Sequence, residues 1–404
     1  MSKHLLKEIT NKIGSGATPT GGKGAYKGGD YSLIRSQNVL DMSFLREGLV
    51  YINDEQAKKL DGVKVESGDV LFNITGDSIC RCCIVPDDIL PARVNQHVAI
   101  IRPKSVNSAY LMYYLQYLKP YLMSICGNGS SRNALTKDSL EKLEIEISPF
   151  SNSIAEILSS LDKKIINNKR ITSELESFAK TIYDYWFLQF EFPNEEGKPY
   201  KSSGGKMVWC EELKREIPEG WELTTLGEMF HITMGSSPKG DSLNEVKCGI
   251  EFYQGSTDFG NIYPNERVYT TSPIRKATSQ DVLLSVRAPV GDMNIAMNDC
   301  CIGRGLAAIH SESTLLTWNT LKSLHSYFDV YNNNGTTFGA LTADSLKGLI
   351  TLNIPPRLIQ EYEKQVSGFE KIIRNKELES RSLSSLRDFL LPMLMNGQVT
   401  FKDN

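Results

Sequence analysis

Along the chain, apolar residues follow two alternating rhythms. Short apolar runs bounded by Gly, Pro, Asn or Asp, such as "DVLFNITG" at 69–76 and "VAIIRP" at 98–103, read as short strands in an irregular, strand-rich region. A short helix is expected near Tyr110–Leu118. After Pro149 the rhythm changes: Ile154, Ile157, Leu161, Asn168, Ile171, Leu175, Phe178 and Ile182 recur at helical spacing. Strand patterns return as "DVLLSVRAP" (281–289) and "LAAIH" (306–310), and after Pro355 a second helical series follows, Val366, Phe369, Ile373, Leu383 and Leu390. Two long helices are therefore predicted, each about 35 residues and about 50 Å long. Such an apolar seam needs a partner, and each helix is the obvious partner of the other, giving an antiparallel coiled coil in which Asn168 either pins the register or sits solvated at the end of the bundle.

The chain also aligns with itself. Gly16-x-x-Pro19 matches Gly235-x-x-Pro238, "GDVLF" at 68–72 matches "QDVLL" at 280–284, and "LTKDSL" at 135–140 matches "LTADSL" at 341–346. The offset falls from 219 residues between Gly16 and Gly235 to 206 between Leu135 and Leu341, so the second copy has lost loop residues and kept its core elements. A period this long is too long for a solenoid and indicates a duplicated domain. The fold class is α+β: two tandem strand-rich domains, each followed by a long helix. The boundaries read as a first domain at 1–150, its helix at 151–190, a Gly-, Pro- and Ser-rich surface linker at 191–217, a second domain at 218–355, and a second helix with a tail at 356–404. Pro218 and Trp221 mark the entry to the second domain, Trp221 as an aromatic anchor.

Composition narrows the class. With 404 residues, 40% hydrophobic and 23% charged, the sequence is that of a globular protein with room for two or three domains. No apolar run is long enough to span a bilayer, the first ten residues lack a signal-peptide core, and a cytoplasmic location is expected. The formal net charge of −3 argues against indiscriminate nucleic-acid binding while leaving room for local basic clefts. Of the eight cysteines, Cys80 and Cys83 form a C-x-x-C, but no second half-site accompanies it, and buried reduced thiols are expected rather than zinc.

The most glycine-rich stretch, "GSGATPTGGKGAYKGG" at 14–29, raises the question of a phosphate-binding loop. A P-loop needs G-x-x-x-x-G-K-[ST]; here Ala17 stands at the first Gly and Gly24 at the hydroxyl position. Pro86-Asp87-Asp88 has no nearby Glu-x-Lys, the five histidines form no metal motif, and neither G-x-S-x-G nor an amino-methyltransferase motif occurs. The chain is therefore read as non-catalytic.

Polar residues at strand ends supply the candidate chemistry. These are Arg35, Gln37 and Asn38 in "LIRSQNVL", Arg93, Asn95, Gln96 and His97 in "PARVNQHVAI", and Arg132 in "GNGSSRNALT"; the second copy offers Gln254, Arg287, Arg304, Thr336 and Thr337. Arg pairs bidentately with guanine, and Asn or Gln with adenine, in the major groove. Lys23, Lys27 and Lys239 are candidate phosphate contacts. Each is weighed against a plain surface or turn role, and Thr136 and Thr342 against helix capping.

With these residues in view, the chain resembles the specificity subunits (HsdS) of type I restriction–modification systems. The resemblance is carried by "NQHVAIIRP" (95–103), "IPEGWELTTLGE" (217–228), "FYQGSTDFG" (252–260), "RAPVGDMNIAMNDCCIGRGLAAI" (287–309) and "GTTFGALT" (335–342). It implies two target-recognition domains, each reading one half of an interrupted, asymmetric double-stranded DNA target. It further implies that the paired helices set the half-site separation and dock two methyltransferase subunits, which restriction–translocase subunits join. S-adenosylmethionine, ATP and Mg would then sit on those partners, and this chain would hold no cofactor and work away from membranes. Three readings compete with it: a related restriction or methylation system with another nuclease arrangement, a coiled-coil adaptor whose globular ends bind proteins, and an enzyme that uses the loop at 14–29 on a nucleotide.

Overall fold

The computed structural model describes residues 1–19, 26, 28–126, 134–333 and 340–399. It divides into two units, Met1–Asn167 with Ser380–Asn404, and Asn168–Glu379.

In the first unit, the strand Val70–Asn73 is buried at all four positions. Because side chains alternate along a strand, Val70 and Phe72 enter one core with Ala99, Ile101, Tyr110 and Leu111. Leu71 points the other way, into a core with Ile34, Cys83, Val98 and Ile100. This double burial explains the uninterrupted apolar run. The strand lies inside an antiparallel sheet ordered Thr10–Ser15, Val98–Pro103, Val70–Asn73, Cys82–Ile84. A second sheet runs Val50–Ile52, Tyr31–Ile34, Ala92–Val94, Lys64–Val65, and its two middle strands are parallel. The expected short helix spans Ser108–Tyr117, and the Asn107 side chain caps it by accepting from the Ala109 and Tyr110 amides.

The second unit repeats this plan. Its strand Val282–Ser285 sends Val282 and Leu284 into one core and Leu283 into another. The antiparallel sheet runs His231–Met234, Leu306–His310, Val282–Ser285, Met293–Ile295. In the other sheet, Ile250–Tyr253 lies parallel to Cys300–Ile302. Truncating either central leucine, Leu71 or Leu283, to Ala would cost about 2–5 kcal/mol. The sequence repeat is thus a repeat of topology.

Both long helices are present, Ser151–Tyr183 and Pro356–Met395. Within the second unit they run antiparallel: Asn168 Nδ2 donates to Glu379 at 3.0 Å, and Tyr362 Oη donates to the Ala179 carbonyl at 3.2 Å. Within the first unit Arg387 Nη1 reaches Asp162 at 2.6 Å. Of the proposed seam, Asn168, Val366 and Ile373 are buried, and Leu161, Leu175, Ile182, Phe369, Leu383 and Leu390 are half-buried. Ile157 and Phe178 require correction, being 39% and 61% exposed. The helices do not only face each other. Ile154, Ala155, Leu158, Leu391 and Leu394 pack into the first unit's core, while Ile373 and Leu175 pack into a core of the second. That arrangement turns Ile157 and Phe178 outward.

The segment 191–217 also departs from the expected surface linker. Phe192 is buried and stacks on Tyr200 and Trp221, with ring centroids 4.7 and 5.2 Å apart, and Met207–Cys210 pairs with Arg215–Pro218 in a hairpin. Aromatic burial against Ile217, Leu352 and Tyr362 outweighs the local Gly and Ser content.

Candidate nucleic-acid interface

In the first unit, five chain segments converge where strands end. The amides of Gly16 and Ala17 donate to the Val98 and Val94 carbonyls, Asn95 N–H to Ile34, Ile74 N–H to His97, and Leu135 N–H to Ile74, all at 2.9–3.1 Å. The second unit makes the corresponding five bonds: Gly235 to Leu306, Ser236 to Ile302, Gly303 to Tyr253, Val286 to Gly305, and Leu341 to Val286, all at 2.8–2.9 Å. Close approach dictates glycine here. A Cβ on Gly16 would lie 2.0 Å from the Val94 carbonyl oxygen, and one on Gly235 would lie 2.1 Å from that of Gly303.

These convergences position side chains. Gln254 is exposed, and its Oε1 accepts from Ser237 Oγ at 2.9 Å. Ser237 Oγ also accepts from the Arg304 amide at 3.3 Å, so one hydroxyl ties together two exposed side-chain positions, Gln254 and Arg304. Arg287 and Lys239 are exposed too. In the first unit Arg35 is half-buried, donates from Nη2 to the Gly48 carbonyl at 2.6 Å, and lies 5.8 Å from the Tyr26 ring centroid. Gln37 is exposed and donates to the same carbonyl at 3.3 Å. Gln96 is exposed, 3.2 Å from His97 Nε2, and His97 Nδ1 is 2.7 Å from Thr75 Oγ1.

Three candidates belong instead to the interior. Asn38 is fully buried, accepts from the Arg35 amide and donates to the Leu45 carbonyl. Arg93 is 4% exposed, donates to the Ala57 carbonyl, pairs with Asp61 at 3.2 Å and covers the Tyr31 ring. Asn95 is buried and accepts from the His97 amide. Asn38 and Asn95 satisfy backbone groups at the turns leaving the strands, and Arg93 satisfies the end of the helix Asp54–Lys59. Lys23, Lys27, Arg132, Thr336 and Thr337 lie outside the described residues. Thr136 and Thr342 accept from the Ser139 and Ser345 amides as helix caps. Ser237 was not singled out in the sequence, although the Gly-x-x-Pro repeat that contains it is the signal pointing to it.

Among the described residues no group of three or more His, Cys, Asp or Glu side chains is placed to hold a metal. Cys80, Cys82, Cys83, Cys126, Cys210, Cys300 and Cys301 are buried, and Cys248 is exposed. Burial pushes the Cys80 and Cys82 thiols up to about 12, which keeps them protonated and unreactive at neutral pH. No helix among the described residues is long and apolar enough to cross a membrane. The interface therefore offers hydrogen-bond donors and acceptors on paired loop platforms, a recognition surface.

The family model described as type I restriction modification DNA specificity domain matches this chain twice, at 3–177 and 218–387. A putative type I restriction enzyme MjaX specificity subunit from Methanocaldococcus jannaschii is 29% identical over 414 residues, covering 98% of this chain and 93% of that protein. The MjaIX specificity subunit from the same organism is 27% identical over 425 residues, with the same two coverages. Among solved structures, a type I restriction–modification S subunit from M. genitalium shares the fold, with a TM-score of 0.58 at 15% identity, covering 99% of this chain and 96% of that one.

Proposed function

The chain belongs to the type I restriction modification DNA specificity family, and from that premise we propose that each unit reads one half of an interrupted, asymmetric double-stranded DNA target. The observation that carries this reading is the same loop platform built twice on different side chains: Arg35, Gln37 and Gln96 in one unit, Gln254, Arg287 and Arg304 in the other. Arg and Gln at strand ends are the side chains suited to base edges, while amides and lysines hold phosphates. Like platforms with unlike residues imply unlike half-sites.

In this reading the chain supplies sequence specificity and its partners supply chemistry. Two methyltransferase subunits dock on the helices, where exposed apolar residues such as Ile166, Phe178, Ile372 and Phe389 offer contact area. Restriction–translocase subunits join them, and S-adenosylmethionine, ATP and Mg are held by those partners, in the cytoplasm.

The test is co-expression of the full chain with its methyltransferase partner, followed by genome-wide mapping of methylated adenines. A two-part motif with unlike halves is expected. Removing one heptad within 154–182 should alter the gap between the halves and leave both halves intact. Reconstituted complex that shifts no DNA would favour the adaptor reading, and ATP binding by the chain alone would overturn the division of labour.

A further inference from the structure

The duplicated platforms are not merely similar in kind; their backbones fix a residue-by-residue correspondence. Ile34 pairs with Val94 in the parallel strands of the first unit, as Tyr253 pairs with Ile302 in the second. The residue after each first strand is Arg35 or Gln254. The Arg35 amide donates to Asn38 Oδ1 at 3.0 Å, three residues on, and the Gln254 amide donates to Asp258 Oδ2 at 3.4 Å, four residues on, so each opens a turn over a buried polar side chain and the second turn is one residue longer. After each second strand, the Asn95 amide donates to Ile34 and the Gly303 amide to Tyr253. Three residues separate Val94 from Val98 and Ile302 from Leu306, and Gly16 and Gly235 donate to Val98 and Leu306 respectively. Gln96 therefore corresponds to Arg304.

At these two positions the side chains are exchanged: Arg35 and Gln96 in one unit, Gln254 and Arg304 in the other. Gln96, Gln254 and Arg304 are exposed and Arg35 is half-buried. Two of the four are oriented by their own domain without being used up. Arg35 donates from Nη2 to the Gly48 carbonyl and its Nε is buried, which leaves Nη1 and the second Nη2 proton as further donors. Gln254 Oε1 accepts from Ser237, which retains a lone pair on Oε1 and both Nε2 protons. An amide in that state accepts from adenine N6 and donates to N7, and a guanidinium donates to guanine O6 and N7.

We infer that the two half-sites carry guanine and adenine interchanged at two corresponding positions: guanine under Arg35 and adenine under Gln96 for the first unit, adenine under Gln254 and guanine under Arg304 for the second. The inference rests on the reading that each unit recognises DNA, and it adds the residues that decide which base is accepted.

Four single variants test it: Arg35→Gln, Gln96→Arg, Gln254→Arg and Arg304→Gln, each placing the side chain that the other unit carries at that position. The full chain is expressed with its methyltransferase partner and methylated adenines are mapped genome-wide. Each variant should change one base of one half-site, G to A for Arg→Gln and A to G for Gln→Arg, with a preference change of about 10- to 100-fold. The other half-site and the gap should stay as in the parent. Variants that keep the parent motif, or that change some other base, overturn the inference. Where a variant abolishes modification, alanine at the same position decides: relaxation to any base at one position supports the assignment, and an unchanged motif overturns it. A parent chain that yields no two-part motif counts against the family-based reading itself. A parent motif with four unresponsive variants counts against this inference alone.

Discussion

Glu370 Oε1 accepts the backbone N–H of Leu315 at 2.8 Å, tying the second long helix to the first turn of the helix Thr314–Ser323. Burial is the main influence on this carboxyl, which is raised from 4.5 to about 7; the Leu315 amide opposes the rise and the nearby Glu363 adds to it. A group whose folded value is raised contributes stability that is fully present below its unfolded value and lost as pH rises through the folded one. The second unit should therefore lose stability between about pH 4.5 and 8. Glu370→Gln keeps an acceptor for Leu315 and never ionises. It should raise stability at pH 8 by about 1–3 kcal/mol and change little at pH 5. Thermal melts of the full chain at both pH values check this, and equal shifts at both would contradict it.

Gly16 and Gly235 admit no side chain, because the carbonyls of Val94 and Gly303 occupy the space. Gly16→Ala and Gly235→Ala should each destabilise their own platform by about 1–3 kcal/mol, the usual cost of overpacking. Gly14, which meets nothing within 4 Å, supplies the control: Gly14→Ala should be tolerated. Melting temperature is the direct readout, and weakened recognition of a single half-site is the functional one.

Asp162 is held from two sides, by Arg387 at 2.6 Å and by the Tyr113 hydroxyl at 2.5 Å, with both charged side chains largely buried. Removing one partner of such a pair strands the other charge and costs about 3–5 kcal/mol, whereas replacing both with well-packed neutral groups costs far less. Arg387→Met alone should therefore unfold more readily than Arg387→Met combined with Asp162→Leu. A denaturant titration of these variants and of Asp162→Leu alone decides, and additive losses would show that the pair is not coupled.

The duplicated topology was legible because its central strand is buried on both faces, which leaves the apolar runs at 70–72 and 282–284 in plain view. The helices were legible for a related reason, a spacing only a helix satisfies. Which face of a helix is covered was less so: Ile157 and Phe178 fit the period but lose the competition for the core to Leu158 and Ala179. Orientation of polar residues was hardest. Asn38 and Gln37 are neighbours of similar chemistry, and only the backbone turn sends one inward and the other out. The hairpin near 207–218 was hidden by local Gly and Ser, since its stability comes from aromatic contacts distant in sequence.

Correspondence between the units also exposes an asymmetry in how a buried carboxylate is neutralised. Asp69 is fully buried, accepts from the Glu66 amide, and receives Arg102 on both oxygens at 2.8 and 2.9 Å. Asp281, its counterpart, accepts from the Thr278 amide but meets His310, whose Nδ1 lies 2.6 Å from Oδ1. The strand register makes Arg102 and His310 equivalent, since Val70 faces Ile101 and Val282 faces Ile309. A guanidinium grips a carboxylate with two parallel bonds, whereas an imidazole offers one bond from this nitrogen. His310→Arg should therefore stabilise the second unit by about 1 kcal/mol, and Arg102→His should destabilise the first. The longer side chain has room to adjust, because the His310 side chain is 53% exposed. Melting curves of the two variants at pH 8 should move in opposite directions, and a common direction would mean that the carboxylate's partner is not what differs between the units.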